Sequence, residues 1–187
     1  MAFHIRPITA ADRFPIHDLL KATGAFEEGE IIVAIELVDA AIRRSDDYTI
    51  IVAEADGGPV VGYACYGRTP MCDGVYDLYW IAVSPGSQHC GIGRALLNTV
   101  ERDVAASGGR MLLIETASKP SYAGTRAFYE GLGYKETARI PDFYKVGDDK
   151  IIYVKRFPPL PSRKQPGRLD AEAAGAPPHE GPKSPAA

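Results

Sequence analysis

One stretch of the sequence, residues 76–97 (YDLYWIAVSPGSQHCGIGRALL), constrains the fold more than any other. The run at 75–83 is apolar at nearly every position, which is typical of a central strand covered on both faces. Two glycines one residue apart, Gly91 and Gly93, follow it. The next residues repeat with helical spacing, and one apolar face contains Ile92, Ala95, Leu96, Val100 and Val104. The stretch therefore predicts a buried strand, a glycine loop and a helix, in that order.

The glycine loop indicates a bound anion. A helix start has up to four unpaired N–H groups and a partial positive charge, and glycines let the backbone approach a ligand closely. A dinucleotide fingerprint needs a small third residue in GxGxxG, where this chain has Leu96. A P-loop needs Lys followed by Ser or Thr after the second glycine, but Arg94 and Ala95 follow Gly93. Both of these phosphate loops are excluded.

The patterns along residues 1–157 predict one mixed α/β domain. Their order is β-α-α-β-β-β-α-β-α-β-β: strand 3–8, helices 12–23 and 29–43, a hairpin around Asp56-Gly57-Gly58, strand 75–83, the helix after Gly91, strand 111–116, a short helix within 121–133, and strands 134–144 and 150–157. After Phe157 the chain is rich in Pro, Ala and Gly and has no aromatic residue. We therefore predict that residues 158–187 form a disordered tail.

Composition excludes several classes of function. The net charge is −3 with no basic stripe, so nucleic acid is not expected as a partner. The three cysteines lack CxxC spacing and the four histidines do not cluster, which argues against a zinc site and a disulfide framework. The start, MAFHIRPITAADRF, contains no long apolar run, so we expect no signal peptide, no membrane span and a cytoplasmic location.

Two motifs carry a resemblance to a known family. Residues 88–93, QHCGIG, match the pattern Q/R-x-x-G-x-G/A and resemble the pyrophosphate-binding signature of the GNAT superfamily of acyl-CoA-dependent N-acyltransferases. LYWIAVSP is similar to that family's fourth strand, and RAFYEGLGY is similar to its final motif. The resemblance covers most of residues 3–157. It implies a mixed, mostly antiparallel central sheet in which strands 4 and 5 splay apart, flanked by about four helices.

The resemblance also implies a co-substrate, acetyl-CoA, and no metal. In the family the pantetheine arm lies between strands 4 and 5 and bonds the backbone at the end of strand 4, which here is Ile81, Ala82 and Val83. The pyrophosphate takes N–H groups from the loop, which here is Gln88, His89, Cys90, Gly91, Ile92, Gly93 and Arg94. Where the family commonly has Asn for a further coenzyme contact, this chain has Tyr122, and Tyr122 or Ser121 is expected to replace it.

Acyl transfer from a thioester to an amine needs a base for the amine proton, a donor for the tetrahedral oxygen and an acid for the departing thiolate. The resemblance implies that Tyr129 is the acid. Two carboxylates are candidates for the base. Glu115 stands where ribosomal-protein N-acetyltransferases place theirs, and Asp77 stands where histone acetyltransferases of the superfamily carry a Glu. A water chain without a dedicated base stays open as a third arrangement.

In the family the acceptor enters over the first two helices. The residues expected there, or near the third and fourth strands, are Phe26, Glu27, Glu28, Glu30, Tyr66, Tyr76 and Tyr79. Acidic groups beside aromatic rings suit a cationic amine, although a solvated helix start is the better explanation of the glutamates. We therefore expect an N-acetyltransferase that acts on a small-molecule amine or amino-acid-like acceptor by direct attack in a ternary complex. A protein N-acetyltransferase, a catalytically silent acyl-CoA-binding module and an unrelated nucleotide binder are the alternatives, and a homodimer is left open.

Overall fold

Seven strands form one sheet in the order β1-β2-β3-β4-β5-β7-β6. The computed structural model describes residues 1–43 and 47–158. The elements are β1 (Phe3–Pro7), α1 (Arg13–Thr23), α2 (Glu28–Ile42), β2 (Thr49–Ala55), β3 (Val60–Arg68), β4 (Val75–Val83), α3 (Ile92–Ala106), β5 (Met111–Ala117), α4 (Ala123–Glu130), β6 (Lys135–Lys145) and β7 (Asp148–Arg156). This confirms the predicted order of elements. The predicted disordered tail lies outside the described residues from 159 onward.

The strands pair antiparallel except at the centre of the sheet, where β4 and β5 run parallel. Parallel neighbours need a crossover connection, and here that crossover is the glycine loop and α3. The central position predicted for β4 and the mixed, mostly antiparallel sheet are both confirmed.

The two central strands separate halfway along their length. They pair only from Val75 to Leu78 on β4, opposite Met111 to Ile114 on β5. On its other edge β4 carries a β-bulge, because Cys65 pairs with Trp80 while Tyr66 pairs with Leu78, which leaves Tyr79 as an extra residue. A bulge bends its strand and increases the local twist. The predicted splay is therefore present, whereas cover on both faces of β4 fails at Tyr79, which is 37% exposed.

Helices cover both faces of the sheet and enclose two cores. On one face the apolar side of α3 packs on the strands through Leu96, Leu97, Val100 and Val104. On the other face α1 and α2 bury a second cluster that includes Leu20. The first core includes residues of both β4 and β5 together with Tyr129, and the second includes Ala82 of β4. No helix among residues 1–43 and 47–158 is both long and apolar enough to cross a membrane.

Candidate active site

A cleft of about 630 Å³ occupies the gap where β4 and β5 separate. Its floor consists of Tyr79, Trp80, Ile81, Ala82, Val83, Glu115, Thr116 and Ala117. One wall comes from the α1–α2 region and contains Thr23, Ala25, Phe26, Glu27 and Glu30. The opposite wall contains Lys119, Ser121, Tyr122, Thr125 and Tyr129, and the remaining lining residues are Gln88, Tyr144, Lys145 and Asp148.

The structure brings many of the predicted site residues to this cleft. Ile81, Ala82, Val83, Gln88, Glu115, Tyr122 and Tyr129 line it. The other predicted residues, Asp77, His89, Cys90, Gly91, Ile92, Gly93 and Arg94, do not line it. Six of these seven belong to the glycine loop, whose side chains are not required for backbone contacts. Asp77 lies on the part of β4 that is still paired with β5.

The glycine loop turns sharply into α3. His89 has φ 60° and Gly91 has φ 83°, both in the left-handed region. At Gly91, where α3 begins, this conformation favours glycine because it has no Cβ. The first intrahelical bond runs from Ala95 N to Gly91 O, at 3.0 Å. The N–H groups of Ile92, Gly93 and Arg94 therefore have no acceptor within the helix, as expected for an anion-binding helix start.

Gln88 connects this loop to the cleft floor, since its Nε2 donates to the Val83 carbonyl at 3.4 Å. Beyond Leu78, the edge of β4 that faces β5 has no strand partner among residues 1–43 and 47–158. The free backbone edge of β4 and the free N–H groups of α3 are thus joined by one short loop. Together they can hold an extended ligand that ends in an anionic group.

Tyr129 lies in the wall of the cleft and is only 4% exposed. Its ring packs against those of Phe128, Tyr134 and Tyr153, with centroids 5.4–6.1 Å apart. Burial raises the pKa of Tyr129 above its usual range, with a smaller contribution from Tyr122. The hydroxyl is protonated at neutral pH, as in any tyrosine, and can donate a hydrogen bond toward a group in the cleft, while burial makes it a weaker acid than an exposed tyrosine.

The two candidate bases differ in their surroundings. Asp77 is in register with Leu113, two residues before Glu115, so both carboxylates leave the same face of the sheet. Glu115 lines the cleft and pairs with Lys150 Nζ at 2.5 Å. Asp77 Oδ2 instead accepts from Thr69 Oγ1 at 2.7 Å, and burial raises the pKa of Asp77. The geometry therefore favours Glu115 as the carboxylate available to a molecule in the cleft.

A group of acidic and phenolic side chains lies together in one part of the cleft. Burial, followed by the charge of Glu30 and by Asp148, raises the pKa of Tyr122. Burial, followed by Glu115, Asp148 and Glu30, raises the pKa of Tyr144. Because the same charged residues act on both tyrosines, residues of α2, β5, β6 and β7 lie close together in this part of the cleft. We call this the acidic end, and its residues are Glu30, Glu115, Tyr122, Tyr144 and Asp148.

Sequence reasoning identified this end only in part. Phe26, Glu27, Glu30 and Tyr79 line the cleft as expected, but Glu28, Tyr66 and Tyr76 do not. The two tyrosines belong to the core beneath α3, and the Tyr66 hydroxyl donates to Asp103 Oδ2 at 3.1 Å. Tyr144 and Asp148 were missed because the only local signal was an aromatic pair before the polar turn VGDD.

Thr116 is a further lining residue that the sequence did not indicate. It is buried, and its Oγ1 has no hydrogen-bond partner among the residues described. The Tyr63 hydroxyl, in the core beneath α1 and α2, is in the same condition. An unpaired buried hydroxyl costs free energy and cannot be recognised from sequence, since its partners would come from tertiary packing.

Comparison with known proteins gives a consistent result. A family model described as "Acetyltransferase (GNAT) domain" matches residues 46–136, which include β4, the glycine loop and Tyr129. An uncharacterized N-acetyltransferase from Methanocaldococcus jannaschii is 32% identical over 110 residues. That match covers 57% of this chain and spans 65% of the relative's own length.

Solved structures extend the likeness over most of the chain. A protein from Desulfovibrio desulfuricans, assigned to the GNAT family of acetyltransferases, is 44% identical with a TM-score of 0.80. The match covers 83% of this chain and 99% of that one. PaiA N-acetyltransferase from Thermoplasma acidophilum, solved in complex with coenzyme A, is 18% identical with a TM-score of 0.65. It covers 84% of this chain and 100% of the other, and at this identity it shares the fold alone.

Proposed function

The chain belongs to the GNAT family of acetyltransferases, and from this premise we propose that it transfers an acetyl group from acetyl-CoA to the primary amine of a small-molecule or amino-acid-like acceptor. One observation carries the proposal: a single cleft joins Gln88 of the glycine loop, the unpaired edge of β4, the buried Tyr129 and the carboxylate of Glu115. The complex of a protein of the same fold with coenzyme A supports the choice of co-substrate.

The coenzyme lies along backbone groups. The N–H groups of residues 88–94 hold the pyrophosphate, because a helix start with a glycine loop offers several converging donors. The free edge of β4 at Ile81, Ala82 and Val83 pairs with the amides of the pantetheine arm, as a neighbouring strand would. This arrangement directs the thioester toward the part of the cleft lined by Tyr129.

The chemical step is direct acyl transfer. An acceptor bound as an ammonium ion first gives one proton to solvent through Glu115, because only the neutral amine has a lone pair. The neutral amine nitrogen then attacks the thioester carbonyl, so a C–N bond forms and the C–S bond breaks. Glu115 takes the proton that the amine loses, directly or through water, and Tyr129 gives its proton to the departing thiolate. The phenolate regains a proton from solvent or from Glu115. The products are the N-acetyl amine and free coenzyme A, and the enzyme returns to its starting state.

The charges of the cleft support a cationic acceptor. Four carboxylate residues line it, Glu27, Glu30, Glu115 and Asp148, against the cationic residues Lys119 and Lys145, and Lys150 pairs with Glu115, which leaves a small negative excess. Phe26, Trp80, Tyr122 and Tyr144 add aromatic surface to the same lining. Aromatic rings beside carboxylates favour an ammonium group over an anion. An acceptor with a net positive charge therefore suits this cleft better than an anionic one.

The test combines binding with turnover. Trp80 is the only tryptophan of the chain and lines the cleft, so its fluorescence is expected to change when coenzyme A is added. Acetyl-CoA is then incubated with a panel of amines, amino acids and short peptides, and a thiol reagent measures free coenzyme A. Mass spectrometry identifies the acetylated product.

We expect release of coenzyme A that depends on a small amine. Acetylation of peptides alone would instead identify a protein N-acetyltransferase. Coenzyme binding without turnover on any acceptor would identify a silent binding module, and binding of ATP or NAD without coenzyme A would contradict the proposed function altogether. A cytoplasmic location stays a prediction.

A further inference from the structure

A hydrogen bond between Tyr122 and Ala25 spans the cleft from wall to wall. The Tyr122 hydroxyl donates to the Ala25 carbonyl at 3.3 Å, although the two residues lie 97 positions apart. Ala25 belongs to the connection between α1 and α2, and Tyr122 is the residue immediately before α4. Both residues line the cleft. The bond therefore attaches the α1–α2 connection to the opposite wall.

This connection is short and has few other attachments. It comprises residues 24–27, and Gly24, at φ 61°, ends α1 in the left-handed region. Phe26 packs edge-on against Trp80 of the floor, with ring centroids 5.2 Å apart. The Ala25 and Glu27 amides donate only locally, to Thr23 Oγ1 at 3.3 Å and to Glu30 Oε2 at 2.8 Å. Among the residues described, the Tyr122 bond is the hydrogen bond that joins this connection to the opposite wall, and it is long and exposed.

The bridge lies at the acidic end of the cleft. Tyr122 shares the electrostatic influence of Glu30 and Asp148 with Tyr144, and the Lys119 Nζ lies 4.7 Å from the centre of its ring. A bridge in this position narrows the part of the cleft that the acceptor amine would occupy. The hydroxyl is already engaged with the acceptor-side wall, which gives Tyr122 a role different from the coenzyme contact of the Asn that it replaces.

We propose that Tyr122 is a specificity-determining residue: its hydroxyl holds residues 24–27 across the acidic end of the cleft and thereby limits the width of acceptor that can bind. This inference rests on the proposed acetyl transfer to an amine. Tyr122 then acts on the choice of acceptor, while the glycine loop and β4 bind the coenzyme.

The test uses Tyr122→Phe, which removes the hydroxyl and retains the ring. Tyr66→Phe is the matched control, because it also removes one tyrosine hydroxyl bond, to Asp103, but outside the cleft. Hydrogen exchange at the amides of residues 24–27 is measured in the full chain without coenzyme. Since one hydrogen bond of this kind contributes a factor of about two to ten, we expect exchange to accelerate by that factor in Tyr122→Phe and not in Tyr66→Phe.

Turnover gives the second measurement. With acetyl-CoA saturating, kcat/KM for a branched amine relative to a straight-chain amine is expected to rise about two- to tenfold in Tyr122→Phe, with KM for acetyl-CoA unchanged. Unchanged exchange would overturn the bridge. An unchanged ratio, or a higher KM for acetyl-CoA, would overturn the assignment to the acceptor while leaving the proposed function intact. Absence of turnover with every amine in the unaltered protein would overturn both.

Discussion

The two ends of the cleft are constructed from different parts of the chain. The coenzyme end consists of backbone: the free N–H groups at the start of α3 and the unpaired edge of β4. The acidic end consists of side chains, among them Glu30, Tyr122 and Tyr144, from segments far apart in sequence. A backbone site depends on chain conformation and tolerates changes of side chain. A side-chain site can change its ligand by single substitutions, so we expect the choice of acceptor to depend on this second end.

The largest effect is expected where the two ends meet. Tyr129→Phe removes the proton donor and keeps the ring packing, so kcat is expected to fall about 10²–10⁴-fold, the range of general acid catalysis. The affinity for coenzyme A should stay within about twofold, because backbone groups hold it. Steady-state kinetics and Trp80 fluorescence titration measure the two quantities. A fall in the affinity for coenzyme A that matched the fall in kcat would mean that Tyr129 also holds the coenzyme.

The next prediction distinguishes Glu115 from Asp77, the two candidates for the base. Glu115→Gln is expected to lower kcat/KM at least about tenfold, because the base is lost while the shape is kept. Asp77→Asn should change kcat/KM by less than about threefold, since Asp77 bonds Thr69 and does not line the cleft. Both variants are compared across pH 6–9. Equal losses in the two variants would contradict the choice of Glu115, and no loss in either would support the water chain.

A smaller effect tests the backbone character of the coenzyme end. Gly91→Val places a β-branched residue at φ 83°, which costs about 1–2 kcal/mol and distorts the loop. The dissociation constant of coenzyme A is expected to rise about tenfold. Gly108→Val is the control, because Gly108 has a similar φ of 77° at the far end of α3. Equal loss of affinity in both variants would indicate general destabilisation in place of a local site.

The smallest effect concerns the stability of the paired half of β4. Burial raises the pKa of Asp77 in the folded state, so its carboxylate destabilises the fold above that pKa, and the cost disappears as the pH falls through it. Asp77→Asn is therefore expected to be the more stable protein at pH 7, with the difference shrinking toward pH 4. Urea unfolding at several pH values measures this. A stability difference that grew on acidification would contradict this prediction, because it would mean that folding lowers the pKa of Asp77.

The same contrast explains what the sequence could predict. The glycine loop and Tyr129 belong to motifs within a few residues, whose spacing identifies a strand, a helix start and a short helix. The pairing of Glu115 with Lys150 and the bridge from Tyr122 to Ala25 join distant segments, so no local pattern indicates them. The bulge at Tyr79 is equally hidden, because it is defined by the pairing of β4 with β3.

The separation of β4 and β5 also predicts how the stability of the protein responds to coenzyme A. Within the described residues, β4 and β5 no longer pair beyond Leu78, so the edge of β4 that faces β5 lacks a strand partner there. Under the proposed function, the pantetheine arm lies in this gap and pairs with the free edge of β4 as an added strand would. Binding to the folded state alone adds about 2.7 kcal/mol of stability when the ligand is at 100 times its dissociation constant. The melting temperature should therefore rise on addition of coenzyme A even when no amine is present. The co-substrate would then supply part of the hydrogen bonding of the central sheet and take it away on dissociation.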